Sequence, residues 1–296
     1  MPESILPGTL VSAEWLASQL HHPGIQIVDI RGYVKTEDLG GGRQHAEYVG
    51  ARDEYEREHI PGSVFVDWTT DIVDLDDEVK AQLAPADQFA AAMSSRGIGN
   101  DTDVVAVDHT GGHFSTRLWW ALKYYGHDRV AVLDGGFNRW KALGLPLTDA
   151  MPRVQQRSFT ARERPSLRVE AEDLLARVAE RSRLIVDARD PAQYTGAIRR
   201  GERGGHVPTA VNIPAKLLVD DDGTWKSDDE LREVLGAGGV RADLPVVAYC
   251  NGGVTATGIL FALDRIGHEV WANYDGSWNE WGERFELPIM EGTEPG

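Results

Sequence analysis

The chain has 296 residues, 42% apolar and 26% charged, a balance that suits a globular protein large enough for two domains with sizeable cores. Thirty basic residues against 47 acidic ones give a net charge of −17, so nucleic acid and anionic membrane surfaces are disfavoured as partners by the average field. The single cysteine excludes an intramolecular disulfide and a cysteine-built metal cage.

The opening Met1-Pro2-Glu3-Ser4 has no basic segment leading into an apolar core, and no run of ~18 apolar residues follows anywhere, so a cytoplasmic protein with no membrane partner is expected. Ser12 ahead of Ala13-Glu14-Trp15-Leu16 predicts a helix start, and residues 25–30 a strand. Residues 33–58 hold Gly40-Gly41-Gly42 within a mixed charge run. They predict a long excursion over the surface, closed by His59-Ile60-Pro61-Gly62. A strand at 64–68, an acidic turn region at 71–77, a helix at 86–96 and a buried strand at 104–108 come next. A Trp-rich helix at 115–125, a strand at 130–133 and a turn Asp134-Gly135-Gly136-Phe137 complete the first half.

The second half repeats this order. Asp187-Ala188-Arg189 answers Asp29-Ile30-Arg31, and His206-Val207-Pro208 answers His59-Ile60-Pro61. Val246-Val247-Ala248-Tyr249-Cys250 answers Val104-Val105-Ala106-Val107-Asp108, and the Asp275-Gly276…Trp278…Trp281 turn answers Asp134 to Trp140. A duplication at this period, with strands alternating with helices, predicts two tandem α/β domains, each a mainly parallel five-stranded sheet flanked by helices. The expected limits are 9–148 and 166–290, with 149–165 as linker. Because Asp108 stands where the second copy has Cys250, sulfur chemistry is possible in one half only, and the first domain is expected to wall the cleft.

The β-branched run ending at Cys250 is followed by Gly252-Gly253 and then by helical spacing of Ile259, Leu260, Leu263 and Ile266. That order predicts a sulfur at a strand's carboxyl end, facing a turn of backbone amides and the positive end of a helix. A free thiol with pKa ~8.5 is only about 3% ionised at neutral pH, and lowering it by about two units takes roughly 2.7 kcal/mol. A helix terminus alone supplies ~0.3–1 kcal/mol, so the amides of Asn251, Gly252, Gly253, Val254 and Thr255 are expected to form the larger part of the cradle. The competing reading of a lone cysteine, an inert buried apolar residue, has no use for two glycines beside it.

These residues resemble the two-domain rhodanese-type sulfurtransferases, which include thiosulfate and 3-mercaptopyruvate sulfurtransferases. The likeness runs from about Leu10 to Ile289 and rests on the paired Asp-x-Arg strand ends, the His-Ile/Val-Pro turns, Asp108 in place of cysteine, the six-residue loop Cys250–Thr255 and the Asp-Gly…Trp turns. It implies that Cys250 takes a sulfane sulfur from thiosulfate or 3-mercaptopyruvate as a covalent persulfide and passes it to cyanide, sulfite or a thiol, with a thioredoxin-like reductant as one such acceptor. No metal or organic cofactor is implied. Related cysteine phosphatases have a longer loop that ends in arginine, whereas Thr255 stands here.

The match frays at the substrate. Asn251 and Gly252 fit neither the basic loop of thiosulfate-specific relatives nor the Cys-Gly-Ser/Thr-Gly-Val-Thr loop of mercaptopyruvate-specific ones, and Gln193 stands where many relatives have a substrate-binding arginine. Arg199, Arg200 and Arg203, in a glycine-flanked loop, are the candidate anion binders, against solvated surface charge, and Gln193 is a further candidate for substrate binding. Arg189, Asp275 and Trp278 are expected to support the loop from behind, Arg189 through an ion pair and Trp278 by core packing. His59 and His206 recur in both copies and read as structural, while Thr255 has two open roles, capping its helix or donating to bound sulfur. A noncatalytic persulfide carrier or interaction scaffold is the alternative to an enzyme.

Overall fold

The computed structural model describes residues 3–296, so Met1 and Pro2, half of the tetrapeptide read for a leader, lie outside the described residues. The first half contributes strands β1 (Leu10–Val11), β2 (Ile25–Asp29), β3 (Gly32–Gly40), β4 (Arg43–Gly50), β5 (Val64–Phe65), β6 (Asp103–Val107) and β7 (Val130–Leu133). The second contributes β8 (Arg168–Val169), β9 (Leu184–Asp187), β10 (Val211–Asn212), β11 (Val246–Tyr249) and β12 (Trp271–Tyr274). Strands β1-β7-β6-β2-β5 form one parallel sheet, and β8-β12-β11-β9-β10 repeat that order in a second. Every residue of β6 and of β11 is buried, as expected of central parallel strands covered on both faces. The expected two-domain α/β architecture is the one observed. The predicted strand at 64–68 is shorter, because only Val64 and Phe65 pair with β2.

The two domains meet about an approximate twofold axis. The helix His113–Tyr124 packs along the helix Ala256–Arg265, and Thr116 Oγ1 lies 2.9 Å from Thr257 Oγ1 between them. The contacts on either side are reciprocal: Asp275 accepts from the Leu83 amide at 2.9 Å, and Asp134 accepts from the Trp225 amide at 2.9 Å. Trp119, fully buried, sets its ring edge-on to Phe261 at 5.1 Å, so one apolar core runs through both domains. Removing that ring would cost about 3–5 kcal/mol.

Residues 33–58 differ from the expected surface excursion. They form an antiparallel hairpin of β3 and β4, followed by the helix Arg52–Arg57. Gly40, Gly41 and Gly42 all adopt positive φ and make its turn. The hairpin reaches over to the second domain, where the Gln44 amide donates to the Arg199 carbonyl at 2.9 Å and the Arg199 amide to that of Gly42 at 2.8 Å. This segment therefore belongs to the cleft between the domains.

Candidate active site

Cys250 follows the last residue of β11, at the carboxyl end of a central strand, where the crevice of an open parallel sheet lies. Its backbone is pinned from the next strand's turn: its amide donates to Ser277 Oγ at 3.1 Å, and its carbonyl accepts from the Trp278 amide at 3.0 Å. Ser277 Oγ also accepts from the Gly253 amide at 2.9 Å and donates to the Tyr274 carbonyl. Ser277 holds this post at φ +53, a conformation a non-glycine residue keeps only when its surroundings fix it. Gly253 is required where it stands, because its φ is +68 and a Cβ there would lie 2.6 Å from Asp275 Oδ1.

The first domain braces this loop directly. The buried guanidinium of Arg117 forms an ion pair with the buried carboxylate of Asp275 and donates to the carbonyls of Gly253, at 3.2 Å, and Ala81, at 2.9 Å. Asn273 Nδ2 adds bonds to the same Gly253 carbonyl and the same carboxylate. A buried pair with both partners further hydrogen-bonded is of the kind whose one-sided removal costs about 3–5 kcal/mol.

The matching loop of the first domain offers a direct comparison. Asp108 directs one carboxylate oxygen at the amides of Thr110 and Gly112, at 3.0 and 3.1 Å, and the other at those of Phe114 and Ser115, at 2.8 and 2.9 Å. An anion at the end of the central strand thus satisfies four backbone donors. In the Cys250 loop, the amides of Asn251, Gly252, Val254 and Thr255 find no acceptor among the described residues.

Cys250 is only 3% exposed, yet it lines a cleft of about 490 Å³ together with Asn251 and Thr255. Arg189, Gln193 and Arg200 lie on the same walls, and Val34, Thr36 and Gln44 enter from the hairpin. Asn251 Nδ2 donates to Gln193 Oε1 at 3.1 Å, Gln193 Nε2 to Gln44 Oε1 at 3.4 Å, and Arg200 Nε to the same Gln44 oxygen at 2.8 Å. This relay ties loop, second domain and hairpin together. Of the cleft's arginines and lysine, Arg189 pairs with Asp187 and Lys216 with Asp190, which leaves Arg200 without a carboxylate partner among the described residues. Burial pushes the Arg200 pKa down, and Tyr48 and Cys250 oppose that shift.

Arg199 and Arg203 fall away from the cleft. The exposed Arg199 uses its backbone to pair with the hairpin, and Arg203 spends its guanidinium on the carbonyls of Arg284 and Leu287, both at 2.8 Å. Thr255 occupies the N-cap position, but its side chain makes no capping bond, because its backbone is already helical there. Arg189 holds Asp187 and the Gly205 carbonyl and lies over the Trp278 ring at 4.4 Å. Trp278 is buried beneath it, and Asp275 sits at the domain junction. His59 and His206 stack on Tyr55 and Tyr194, each with Nδ1 on that tyrosine's carbonyl. Sequence reasoning missed Ser277, Arg117, Gln44 and His113, the last of which also lines the cleft.

Comparison with known proteins agrees with this architecture. A model of the rhodanese-like domain matches twice, at residues 12–143 and 170–284. The 3-mercaptopyruvate sulfurtransferase of Escherichia coli K12 is 33% identical over 282 residues, spanning 94% of this chain and 96% of that protein. A Mycobacterium tuberculosis protein provisionally named a thiosulfate sulfurtransferase is 32% identical over 294 residues, spanning 96% of this chain and 98% of its own. The crystal structure of SseA from Escherichia coli superposes with a TM-score of 0.80 at 31% identity, covering 91% of this chain and 98% of that one. Tum1 from Saccharomyces cerevisiae, 22% identical, shares the fold with a TM-score of 0.79 over 95% of this chain and 97% of that one. The chain is a two-domain member of the rhodanese family of sulfurtransferases.

Proposed function

We propose that Cys250 attacks the sulfur of 3-mercaptopyruvate as a thiolate and holds it as a persulfide until cyanide or a thiol, that of a thioredoxin-like protein included, removes it. In the first step an S–S bond forms, the donor's C–S bond breaks, and the electron pair leaves with the pyruvate enolate, which solvent protonates. The observation that carries this reading is the pair of loops: where Asp108 fills one cradle with its carboxylate, Cys250 lines a cleft and its loop has four amides without an acceptor among the described residues, available to stabilise a thiolate or a persulfide anion. The covalent intermediate is the only carrier the reaction needs, with no metal or organic cofactor.

The cleft's charge supports the donor. One guanidinium without a carboxylate partner among the described residues, that of Arg200, flanked by the neutral amides of Gln44, Gln193 and Asn251, suits one carboxylate beside a keto oxygen better than the dianion thiosulfate. Turnover with each donor, using cyanide as acceptor, tests both parts. kcat/KM is expected to favour 3-mercaptopyruvate by at least about tenfold, a gap of ~1.4 kcal/mol. Equal or better use of thiosulfate overturns the donor assignment. Cys250→Ser should abolish transfer from both donors, and a wild-type protein that binds one equivalent of sulfur without turning over would be a carrier instead.

A further inference from the structure

Of the nine histidines, His59, His127, His206 and His268 are buried with a ring nitrogen on a backbone carbonyl. His113 is different. It opens the helix His113–Tyr124 of the first domain, is partly buried, lines the same cleft as Cys250, and its ring has no hydrogen-bond partner among the described residues. Its backbone is held on both sides, because Asp108 binds the amides of Gly112 before it and of Phe114 and Ser115 after it. The noncatalytic loop thus fixes an imidazole at the catalytic cysteine's cleft while leaving the ring nitrogens uncommitted.

We propose that His113 is a catalytic base of the second half-reaction, taking the proton of an incoming thiol as that thiol attacks the outer sulfur of the Cys250 persulfide. This rests on the persulfide reading above. The acceptor's S–H bond breaks and its proton goes to a free imidazole nitrogen. The sulfur's electron pair then forms the new S–S bond, and the bond between the outer sulfur and Cys250 Sγ breaks with its pair staying on Cys250. The acceptor departs as a persulfide, the imidazolium returns its proton to solvent, and no outside oxidant or reductant is consumed. A free thiol is ~3% ionised at neutral pH, so a base at hand removes a real barrier.

Burial pushes the His113 pKa below the ordinary histidine value, with Asp108 opposing. The neutral, proton-accepting form is therefore present at neutral pH and is lost only as pH falls through that lowered value. The groups facing it are Asp108 on its own loop, Cys250 on the opposite loop, and Arg189, Asp190, Arg200 and Lys216 around the remaining wall.

The test loads wild type, His113→Gln and His113→Phe with one sulfur, verified by mass spectrometry, and follows single-turnover unloading by cysteine and by sulfite, whose attacking sulfur carries no proton. Phenylalanine keeps a ring against the wall, so the result does not hang on glutamine packing well. Unloading by cysteine is expected to fall at least about tenfold in both variants and to lose the decline on the acid side that wild type shows, while unloading by sulfite stays within about twofold. Equal losses with both acceptors would make His113 a wall, and undiminished unloading by cysteine would give it no part; either overturns the proposal. A wild type that never acquires the sulfur overturns the persulfide reading and this step with it, and the loading measurement separates that outcome from the others.

Discussion

The Asp108 loop and the Cys250 loop begin at the same point of equivalent strands, and they treat their backbone amides in opposite ways. The first spends four of them on a carboxylate supplied by the chain itself, whereas the second leaves four without an acceptor among the described residues, and two of these, Asn251 and Thr255, line the cleft. One copy is filled by its own carboxylate, and under the function proposed above the other receives the anion of a thiolate or a persulfide. The filled loop is not idle, since its domain provides Arg117 behind the open loop and the hairpin in front of it.

Replacing Cys250 with aspartate would break the contrast most completely. All turnover should vanish while the variant becomes more stable by about 1–3 kcal/mol, because the open amides gain a charged acceptor. A thermal melt beside the activity assay reads both, and a less stable variant would mean that the second loop cannot wrap a carboxylate. Arg117→Ala tests the brace. It strands the Asp275 carboxylate in the core and should cost about 3–5 kcal/mol in denaturant unfolding, with activity falling although no cleft residue has changed. Asp108→Asn is the mildest of the three. It keeps the shape, replaces one acceptor oxygen with a donor, and should cost about 2 kcal/mol, measured as a lower midpoint in urea with the donor preference unaltered.

Much of this was legible in the residues. The paired Asp-x-Arg ends, the matching turns and the buried runs of β6 and β11 gave both sheets, because central parallel strands read as unbroken apolar stretches. The hairpin was not legible: β3 lies largely in solvent, so its Lys35, Thr36, Glu37 and Asp38 show no apolar face, and the half-buried positions of β4 are led by the polar Gln44, so neither segment separates strand from loop. Gln44 was lost with it. Arg117 hid in a Trp-rich helix whose spacing signals burial, and its partner lies 158 residues away. Ser277 owes its role to a left-handed backbone that serine gives no hint of adopting, and His113 belongs to the copy that lacks the cysteine. Among the three arginines of one loop, only tertiary placement separates Arg200 from Arg199 and Arg203.

The paired contacts across the domain junction, Asp275 with Leu83 and Asp134 with Trp225 about the Thr116–Thr257 hydroxyls, have the self-complementary form of an isologous interface. Two identical chains associating in this way would make a homodimer, and every exchange of aspartate for cysteine would then appear in both subunits at once. Fusion into one polypeptide lifts that restriction. It lets one half's loop carry an aspartate and the other's a cysteine, an asymmetry that a symmetric assembly of one gene product could not encode.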